Sequence, residues 1–506
     1  MDEAKKNLSP EEAAKLDRQA VAEMVESLNL RDVISGKSSG ISVGGKNKKD
    51  MSDFKFWSSQ PVPKIGSLSS ITPDGPIEKD KAIEEIRQDP YPLPKDFEWC
   101  TMDLNNQVQL KEVYELLTAN YVEDSDATFR FDYSAEFFRW ALMPPGFVKD
   151  WHIGVRVSAS KRLVAFISAI PITLRIRAFT KHSSEVNFLC VHKKLRNKRL
   201  APVLIREVTR RCNLHGVFQA VYTVGIYLPT PITANQYYHR ALNTKKLVDT
   251  GFSGVPRNMT LARLIAKNKV PDTTSTPGLR ELEEKDLPAV GELLSAYLAR
   301  FDLVPLMSEE EVRHNFWSGR GTGQPDPVTG KRPGQVTWSF VVEDPETHRI
   351  TDFFSFYSLP STALKVSPTV TIDAAYLYYI ATELPASAAG TSANSVATTW
   401  DKESPETRAH IKQRLVRLIW DALSFANKAK FDVFNALTLM DNNLFLNDTK
   451  FGPGDGMLYW YLFNWTTRPI SGGTVDPALG AVGATQAAKG SMFDPAKGSG
   501  VGLVML

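Results

Sequence analysis

The sequence predicts a mixed α/β fold made of two similar halves, and three observations support this prediction. A hairpin pattern runs from Trp151 to Pro171, and a second pattern of the same kind runs from Trp338 to Pro360. Each hairpin is followed by an apolar strand, a helix candidate (201–215 or 407–429) and a further strand, GVFQAVYTV or KFDVFNALTLM. The corresponding landmarks lie 187 and 189 residues apart. Because the order of elements repeats, we expect two copies of one α/β unit.

The other elements follow from capping and composition. Ser9, Pro10 and Glu12 form the start signal of a helix near the N-terminus. Further helices are expected at 106–120 and 134–142. The segment FKFWSSQPVP, with aromatics beside prolines, predicts an extended stretch on the surface rather than a helix. The Pro/Thr-rich seam at 267–278 then divides the chain into a tail (1–50), a first half (51–270) and a second half (271–506), with surface insertions at 385–399 and 471–500.

Composition excludes several classes of protein. The 506 residues carry a net charge of only +3, so no overall field predicts DNA binding. Three cysteines argue against a disulfide scaffold or a zinc ribbon, and eight scattered histidines give no metal site. The longest apolar run, Leu163 to Ile172, is too short to be a transmembrane segment. We expect a cytoplasmic monomer with no signal peptide.

The tail ends in a Gly/Ser/Lys-rich stretch, SGKSSGISVGGKNKKD. Its lysines Lys46, Lys48 and Lys49 could contact the ribosome, RNA or lipid, although a solvated linker is the favoured interpretation of this composition.

The stretch EVNFLCVHKKLRNKRLAP, residues 185–202, combines a strand, a cationic turn and a helix start. Residues 186–191 predict a buried strand, and Ala201-Pro202 suits the first turn of a helix. A helix N-terminus offers free backbone N–H groups to anions. Three interpretations of the cations remain: a solvated face, a nuclear-localisation or RNA-binding run, and a phosphate cradle. The flanking strand and helix favour the cradle.

These residues also resemble a known family. The acetyltransferase (GNAT) superfamily holds the CoA pyrophosphate with an R/Q-x-x-G-x-G/A loop, which Arg196 and Ala201 match, with Arg199 in the glycine position. More specifically, EVNFLCVHK and KFGPGDG (450–456) resemble the signatures of eukaryotic, fungal-like N-myristoyltransferases, the glycylpeptide N-tetradecanoyltransferases. The likeness continues from KFW at 55–57 to the chain end. It implies two fused GNAT-like halves that transfer myristoyl from myristoyl-CoA, a co-substrate and not a prosthetic group, directly to an N-terminal glycine.

The resemblance implies catalytic roles that the residue types alone do not show. The strand should break its ladder near Phe188 and Leu189, so that their backbone N–H groups stabilise the oxyanion; one such donor is typically worth about 3 kcal/mol. The terminal carboxylate of Leu506 is expected to accept the proton of the glycine amine. Thr223 and Asn187 are expected to contact that amine.

The remaining implied roles concern the two substrates. Cys190 and His192 lie two apart on a strand and invite a thiol-nucleophile interpretation, but the resemblance favours a channel role for Cys190. Asp124 and Asp126 would favour a lysine in the peptide, although Ser125 interrupts the acidic run and a solvated loop is the alternative. The acyl-CoA site is expected to contain Lys55, Phe56, Trp57, Cys190, Val191, Arg196, Asn197, Lys198, Arg199, Leu200, Ala201 and Pro202. The peptide groove is expected to contain Asp124, Asp126, Phe129, Phe131, Tyr133, Tyr222, Tyr237, His239, Tyr357, Ser361, Tyr376, Asp455, Gly456 and Leu458.

Two other functions remain open at this point. A GNAT-type N-acetyltransferase would use acetyl-CoA as well as long-chain CoA. A non-catalytic acyl-CoA or RNA-binding protein would use the same basic turn without turnover, and its affinity for RNA would fall steeply with salt.

Overall fold

The computed structural model describes residues 54–64, 67–68, 72–121, 128–367, 370–385, 399–474 and 497–506. The expectations for the tail, for Asp124 and Asp126, and for most of the two insertions lie outside these ranges.

Within the described ranges, the chain forms strands and helices that alternate along both halves. The strands are β1 Phe97–Thr101, β2 Phe129–Phe131, β3 His152–Val157, β4 Leu163–Ile176, β5 Phe179–Val191, β6 Ala220–Val224, β7 Thr233–Ala241, β8 Leu279–Glu281, β9 Leu303–Pro305, β10 Thr337–Glu343, β11 Ile350–Ser358, β12 Ser361–Ala363, β13 Thr371–Ile372, β14 Ala374–Thr382, β15 Val433–Leu437 and β16 Gly452–Phe463. The α-helices are α1 Gln107–Asn120, α2 Ala135–Leu142, α3 Leu200–Leu214, α4 Thr244–Asp249, α5 Leu261–Asn268, α6 Leu287–Leu298, α7 Glu309–Arg313 and α8 Pro405–Lys428.

The main sheet is nearly symmetric about its centre. Its strands lie in the order β1-β3-β4-β5-β6-β16-β7-β15-β14-β11-β10-β8, and β9 adds to β4. The first half follows the path β1-α1-α2-β3-β4-β5-α3-β6-β7, and the second repeats it as β8-α6-α7-β10-β11-β14-α8-β15-β16. In each half the two strands joined by the long helix, β5–β6 and β14–β15, pair in parallel. The predicted mixed α/β fold is confirmed, and its two halves repeat one order of elements about the centre of the sheet.

The last strands of the two halves are exchanged. Strand β16 pairs with β6, while β7 pairs with β15 and also with β16. The sheet therefore continues across the centre, and a boundary near residue 270 divides the chain without dividing the sheet.

Two local predictions are wrong. Strand β4 does not end at Pro171, which pairs with Ser184 inside it. Pairing of β4 with β3 stops at Ser168 and pairing with β9 starts at Leu174, so the proline lies where that edge has no ladder. The segment expected to be extended contains a 3-10 turn at Trp57–Ser59, because Ser58 and Ser59 donate from Oγ to carbonyls three residues back.

Helices α1 and α2 match the predicted spans and begin after side-chain caps, Asn106 and Ser134. They lie over the largest hydrophobic cluster, which also contains the final residues Val501, Leu503, Val504 and Met505. Helix α3 covers another cluster against β3 and β4, and α8 covers the corresponding strands of the second half. The core thus encloses the C-terminal end of the chain beside strand β5.

Candidate active site

Strand β5 contains the expected break in its ladder. The pairing of β4 with β5 joins Phe166 to Cys190 and Ser168 to Asn187, so Phe188 and Leu189 together face the single residue between them on β4. Phe188 has a φ of +55°, in the left-handed region that non-glycine residues adopt rarely. A β-bulge of this kind re-aims the backbone N–H groups of the extra residue. Strain at one residue in a buried strand is typical of functional sites.

The same place is where β5 separates from β6. The two strands pair in parallel only at Ser184–Ala220 and Glu185–Val221. Continuing that register by two residues would set Asn187 opposite Thr223, but the ladder has already ended there. The strands therefore leave an opening that is flanked by Asn187, the bulge and Thr223, residues to which the family resemblance assigns roles in the reaction.

Asn187 connects the bulge to the end of the chain. Its Oδ1 accepts a hydrogen bond from the Phe188 backbone N–H at 3.0 Å, and its Nδ2 donates to the terminal carboxylate of Leu506 at 2.5 Å. Ser168 Oγ donates to the Asn187 carbonyl at 3.0 Å and fixes this residue from the neighbouring strand. The Asn187 side chain thus joins the Phe188 backbone N–H to the carboxylate of Leu506.

The side chains of the two bulge residues pack, as expected. Phe188 is 1 % exposed and its ring lies 5.4–5.8 Å from those of Tyr121, Tyr133 and Phe138. Leu189 packs on the other side, against the cluster under α3. The bulge is therefore held by core packing on both faces of the sheet.

Cys190 and His192 do not form a nucleophile and base pair. Burial raises the pKa of the Cys190 thiol to about 12, so the thiol stays protonated at neutral pH. His192 Nδ1 accepts a hydrogen bond from the Lys194 backbone N–H at 3.2 Å, and so caps the turn that follows. The thiol-nucleophile interpretation is not supported by this geometry.

The cationic turn is a 3-10 helix, Lys193–Lys198, that runs directly into α3. Arg199 joins the two with a φ of +58°, which explains why glycine is usual at this position in the GNAT pattern. Leu200, Ala201 and Pro202 form the first turn of α3, so its N–H groups face the end of the turn. Lys193, Lys194 and Lys198 are exposed beside it. Asn197 lies in the turn, but its side chain is not among those that the structure describes.

Arg196 differs from the other cations of the turn. Its Nη2 donates to the Asn120 carbonyl at 2.6 Å and its Nε donates to the Val191 carbonyl at 3.4 Å. The Asn120 side chain accepts from the Lys193 N–H at 3.0 Å. Arg196 therefore ties the turn to α1 and β5 while its charge remains beside the helix start.

The segment containing Lys55, Phe56 and Trp57 lies against α3 and β6. Arg206 of α3 lies 5.7 Å from the Phe56 ring centre, and the Trp57 ring stacks on Tyr222 at 5.7 Å. Lys55 is exposed. Tyr222 also stacks on Tyr461 at 5.1 Å, which places it with the N-terminal segment and away from the other tyrosines of the expected groove.

Those other tyrosines form one aromatic wall to which both halves contribute. Tyr357 stacks on Tyr376 at 5.3 Å, and Tyr376 lies 6.5 Å from both Tyr237 and Phe131. Burial raises the pKa of Tyr237 to about 12, so its phenol stays neutral. Ser361 pairs with Phe131 in the small sheet β13-β12-β2.

Two aromatic residues of the expected groove pack differently from the rest. Tyr133 is 4 % exposed and lies between the rings of Phe131 and Phe188. It is therefore part of the core between the aromatic wall and the β-bulge. Phe129 packs against Phe252 at 5.5 Å.

The GPGDG sequence, expected to be a glycine-rich loop, is instead an irregular part of strand β16. Its pairing with β7 shifts between Pro453 and Met457, so Asp455 and Gly456 project from the ladder. A Cβ on Gly456 would lie 3.2 Å from the Tyr237 ring, which shows how closely this backbone approaches the wall. His239 lies beside it: burial lowers its pKa, and its Nδ1 lies 2.7 Å from Asn435 Oδ1. Leu458 then rejoins β7 opposite Asn235.

Sequence reasoning missed three residues of this region. Asn435 orients His239, and the Tyr379 hydroxyl accepts a hydrogen bond from the Val504 N–H at 3.1 Å. Glu185 is 7 % exposed, its side-chain carboxyl has no hydrogen bond or ion pair within the described ranges, and burial raises its pKa to about 8. Two features of the sequence could have pointed to Tyr379 and Glu185: the tyrosines of the run AAYLYYIAT and the acid at the start of EVNFLC. Burying a polar group costs free energy unless it is hydrogen-bonded, so a polar residue in such an apolar strand indicates a specific role.

Other features of the described residues carry no chemistry of this kind. No group of three or more His, Cys, Asp and Glu side chains among them could hold a metal ion. No helix in the described ranges is long and apolar enough to cross a membrane. An open cleft of about 600 Å³ between α8 and residues 269–275 shares no residue with the expected sites.

Comparisons with known proteins agree with this geometry. Residues 76–235 match the family described as Myristoyl-CoA:protein N-myristoyltransferase, N-terminal domain, and residues 249–484 match its C-terminal domain. The glycylpeptide N-tetradecanoyltransferase of Schizosaccharomyces pombe is 47 % identical over 488 residues, 96 % of this chain and 95 % of the relative. That of Aspergillus fumigatus is 46 % identical over 98 % of this chain and 91 % of its own length. A crystal structure of Saccharomyces cerevisiae N-myristoyltransferase with bound myristoyl-CoA superposes with a TM-score of 0.78 at 45 % identity, over 90 % of this chain and 99 % of the other. The chain described here belongs to the N-myristoyltransferase family.

Proposed function

We propose that the protein transfers the myristoyl group of myristoyl-CoA to the α-amine of an N-terminal glycine. The observation that carries the proposal is the bulge at Phe188 and Leu189, joined through Asn187 to the carboxylate of Leu506. It combines a donor for a developing oxyanion with an acceptor for a proton, which are the two groups that acyl transfer to an amine requires.

The reaction needs no covalent enzyme intermediate. The neutral glycine amine attacks the thioester carbon, and the carbonyl oxygen becomes an oxyanion that the N–H groups of Phe188 and Leu189 stabilise. The Leu506 carboxylate takes the proton that the nitrogen sheds, while Asn187 and Thr223 orient the amine. The carbon–sulfur bond then breaks, and CoA leaves as a thiolate that is protonated to the thiol. An α-amine titrates near 7.7–8.0, so roughly a tenth or more is already neutral at pH 7.

The first half is the better acyl-CoA site because the second half has lost the same features. The corresponding bulge of the second half lies at Tyr378 and Tyr379, opposite Ser355. Neither tyrosine has a positive φ, whereas Phe188 has one of +55°. The five residues before α8 are WDKES, with one cation in place of the five that precede α3. Of the two pseudo-equivalent openings, only the first offers a strained bulge and a cationic helix start.

The second half supplies the peptide groove in this proposal. The wall formed by Tyr237, Tyr357 and Tyr376, with Asp455 and Gly456 beside it, leads toward the buried bulge through Tyr133. A side chain on the first residue would crowd the amine in this enclosed site, so we expect glycine alone to serve. Asp124 and Asp126 would attract a lysine further along the peptide.

Burial of the myristoyl chain contributes to the binding free energy of the acyl-CoA. At about 0.8 kcal/mol for each buried CH₂, a fourteen-carbon chain gives on the order of 10 kcal/mol before costs. The cytoplasmic location, the monomeric state and contact of Lys46, Lys48 and Lys49 with ribosomes stay predictions from the sequence.

Mass spectrometry of two matched peptides tests the function. A peptide that begins with glycine and its Gly→Ala partner are each incubated with the protein and either myristoyl-CoA or acetyl-CoA. We expect one myristoyl group on the glycine peptide alone. Equal transfer from acetyl-CoA would favour an N-acetyltransferase, and bound myristoyl-CoA without any transfer would favour a binding protein.

A further inference from the structure

The end of the chain is held as an inner strap, residues 497–506, which we call the terminal strap. Its backbone is bound at successive points: Met440 N donates to the Val501 carbonyl at 2.9 Å, and Ser499 N donates to the Met440 carbonyl at 3.1 Å. Gly502 N donates to the Leu303 carbonyl at 2.8 Å. A Cβ on Gly502 would lie 2.8 Å from Val304 Cγ1, so the strap passes too close to β9 for a larger residue.

A buried ion cluster lies where the strap enters the core; we call it the Asp441 cluster. Arg300 is 1 % exposed and contacts Glu403 at 2.5 Å and Asp441 at 2.8 Å. Arg408 contacts the same two acids at 3.5 and 3.7 Å, and Tyr297 donates from its hydroxyl to Asp441 at 2.7 Å. Two arginines and two acids leave the cluster neutral, as a buried set of charges requires.

Two links join the Asp441 cluster to the strap. Asp441 directly follows Met440, which has a φ of +49° and exchanges two backbone hydrogen bonds with Ser499 and Val501. Arg408 Nη2 donates to the carbonyl of Lys497, and a Cβ on Gly498 would lie 3.8 Å from the same nitrogen. The cluster therefore fixes both the backbone turn that receives the strap and the first described residue of the strap.

We propose that Arg408 is a positioning residue for acyl transfer: by tying Lys497 to Asp441 it fixes where the Leu506 carboxylate lies. This rests on the proposed role of that carboxylate as the base. Arg408 belongs to α8 and is not among the residues expected in the acyl-CoA site or the peptide groove. It acts on the reaction only through the strap.

The length of the strap makes its anchorage matter. Leu506 lies five positions after Val501, and each extended residue spans at most about 3.6 Å. A strap released at its entrance could move its carboxylate by several ångströms, whereas a misplacement of about 1 Å can cost about 10²-fold in rate. Among the described residues, two side chains form hydrogen bonds to the last three residues of the chain. The Tyr379 hydroxyl accepts from Val504 N, and Asn187 Nδ2 donates to Leu506.

Arg408→Met tests the proposal, with Arg414→Met as the matched control. Arg414 lies on the same helix and pairs with the buried acid Asp352, but it does not contact the strap. For each variant we would measure the single-turnover rate with preloaded myristoyl-CoA, the Kd for myristoyl-CoA, and the rate at which carboxypeptidase releases Leu506.

For Arg408→Met we expect at least a tenfold loss of the single-turnover rate, a Kd within twofold of the parent, and faster release of Leu506. The control should lose less than threefold in rate, and Arg408→Lys should recover part of the loss. Equal rates in Arg408→Met and Arg414→Met would overturn the proposal, as would parallel losses of rate and myristoyl-CoA affinity. No transfer by the parent protein would instead refute the proposed function. A normal rate in a protein that lacks the terminal carboxylate would refute the proposed role of that carboxylate as the base.

Discussion

Replacing Asn187 by leucine tests whether the link between the bulge and the chain end acts in catalysis. The two side chains are similar in size, but leucine can neither accept from the Phe188 N–H nor donate to the Leu506 carboxylate. A hydrogen bond to a charged group is worth about 1.5–3 kcal/mol. Since each 1.4 kcal/mol is a factor of ten, we expect the rate to fall about 10- to 150-fold.

The assay is a single turnover of glycine peptide by protein preloaded with myristoyl-CoA. Binding of myristoyl-CoA should change little, because the Asn187 side chain contacts Phe188 N and Leu506 and not the cationic turn. A melting temperature close to that of the parent shows that the fold is intact. A rate within twofold of the parent in a folded variant would refute the view that Asn187 places these groups.

The other predictions concern neighbouring residues. Cys190→Ala should keep transfer within a few-fold, because burial raises the thiol pKa to about 12; loss of all turnover in a folded protein would restore the thiol mechanism. Arg199→Gly should raise the melting temperature, since glycine adopts φ +58° without strain. It should also weaken CoA binding, because a cation is lost; an unchanged affinity for CoA would show that Arg199 is not part of the phosphate cradle. Glu185 binds its proton more tightly in the folded state, with a pKa of about 8, than in the unfolded state, so its ionisation costs stability as pH rises from about 4.5 to 8. Glu185→Gln should therefore gain melting temperature over the parent at pH 8 and not at pH 5; an equal difference at both values would contradict the burial argument.

The sequence could predict the fold because local signals and the repeat agreed. The helices predicted at 106–120 and 134–142 are present, and in the structure they begin after the side-chain caps Asn106 and Ser134. The prediction that a strand ends at Pro171 was wrong because a proline is tolerated where one edge of a strand has no partner. Whether that edge has a partner depends on the lengths of β3 and β9, which the local sequence does not show. The turn at Trp57 depends on serine hydroxyls closing on nearby carbonyls, which a pattern of aromatics and prolines does not show.

The site was less accessible from residue patterns. Phe188 and Leu189 look like core residues, and their side chains are core; only the family resemblance pointed to their backbone. The contact of Asn187 with Leu506 and that of Tyr379 with Val504 join positions more than a hundred residues apart. No local pattern encodes such contacts, since they arise when the sheet brings the chain end beside β5.

Changing the terminal carboxylate of Leu506 to a carboxamide tests the central claim most directly. A semisynthetic protein of this kind keeps every apolar contact of the strap and removes only the charge and the proton acceptor. The account predicts that preloaded myristoyl-CoA stays bound while the single-turnover rate falls by at least 10²-fold, the lower range for general base catalysis. An unchanged rate in the carboxamide protein would contradict it.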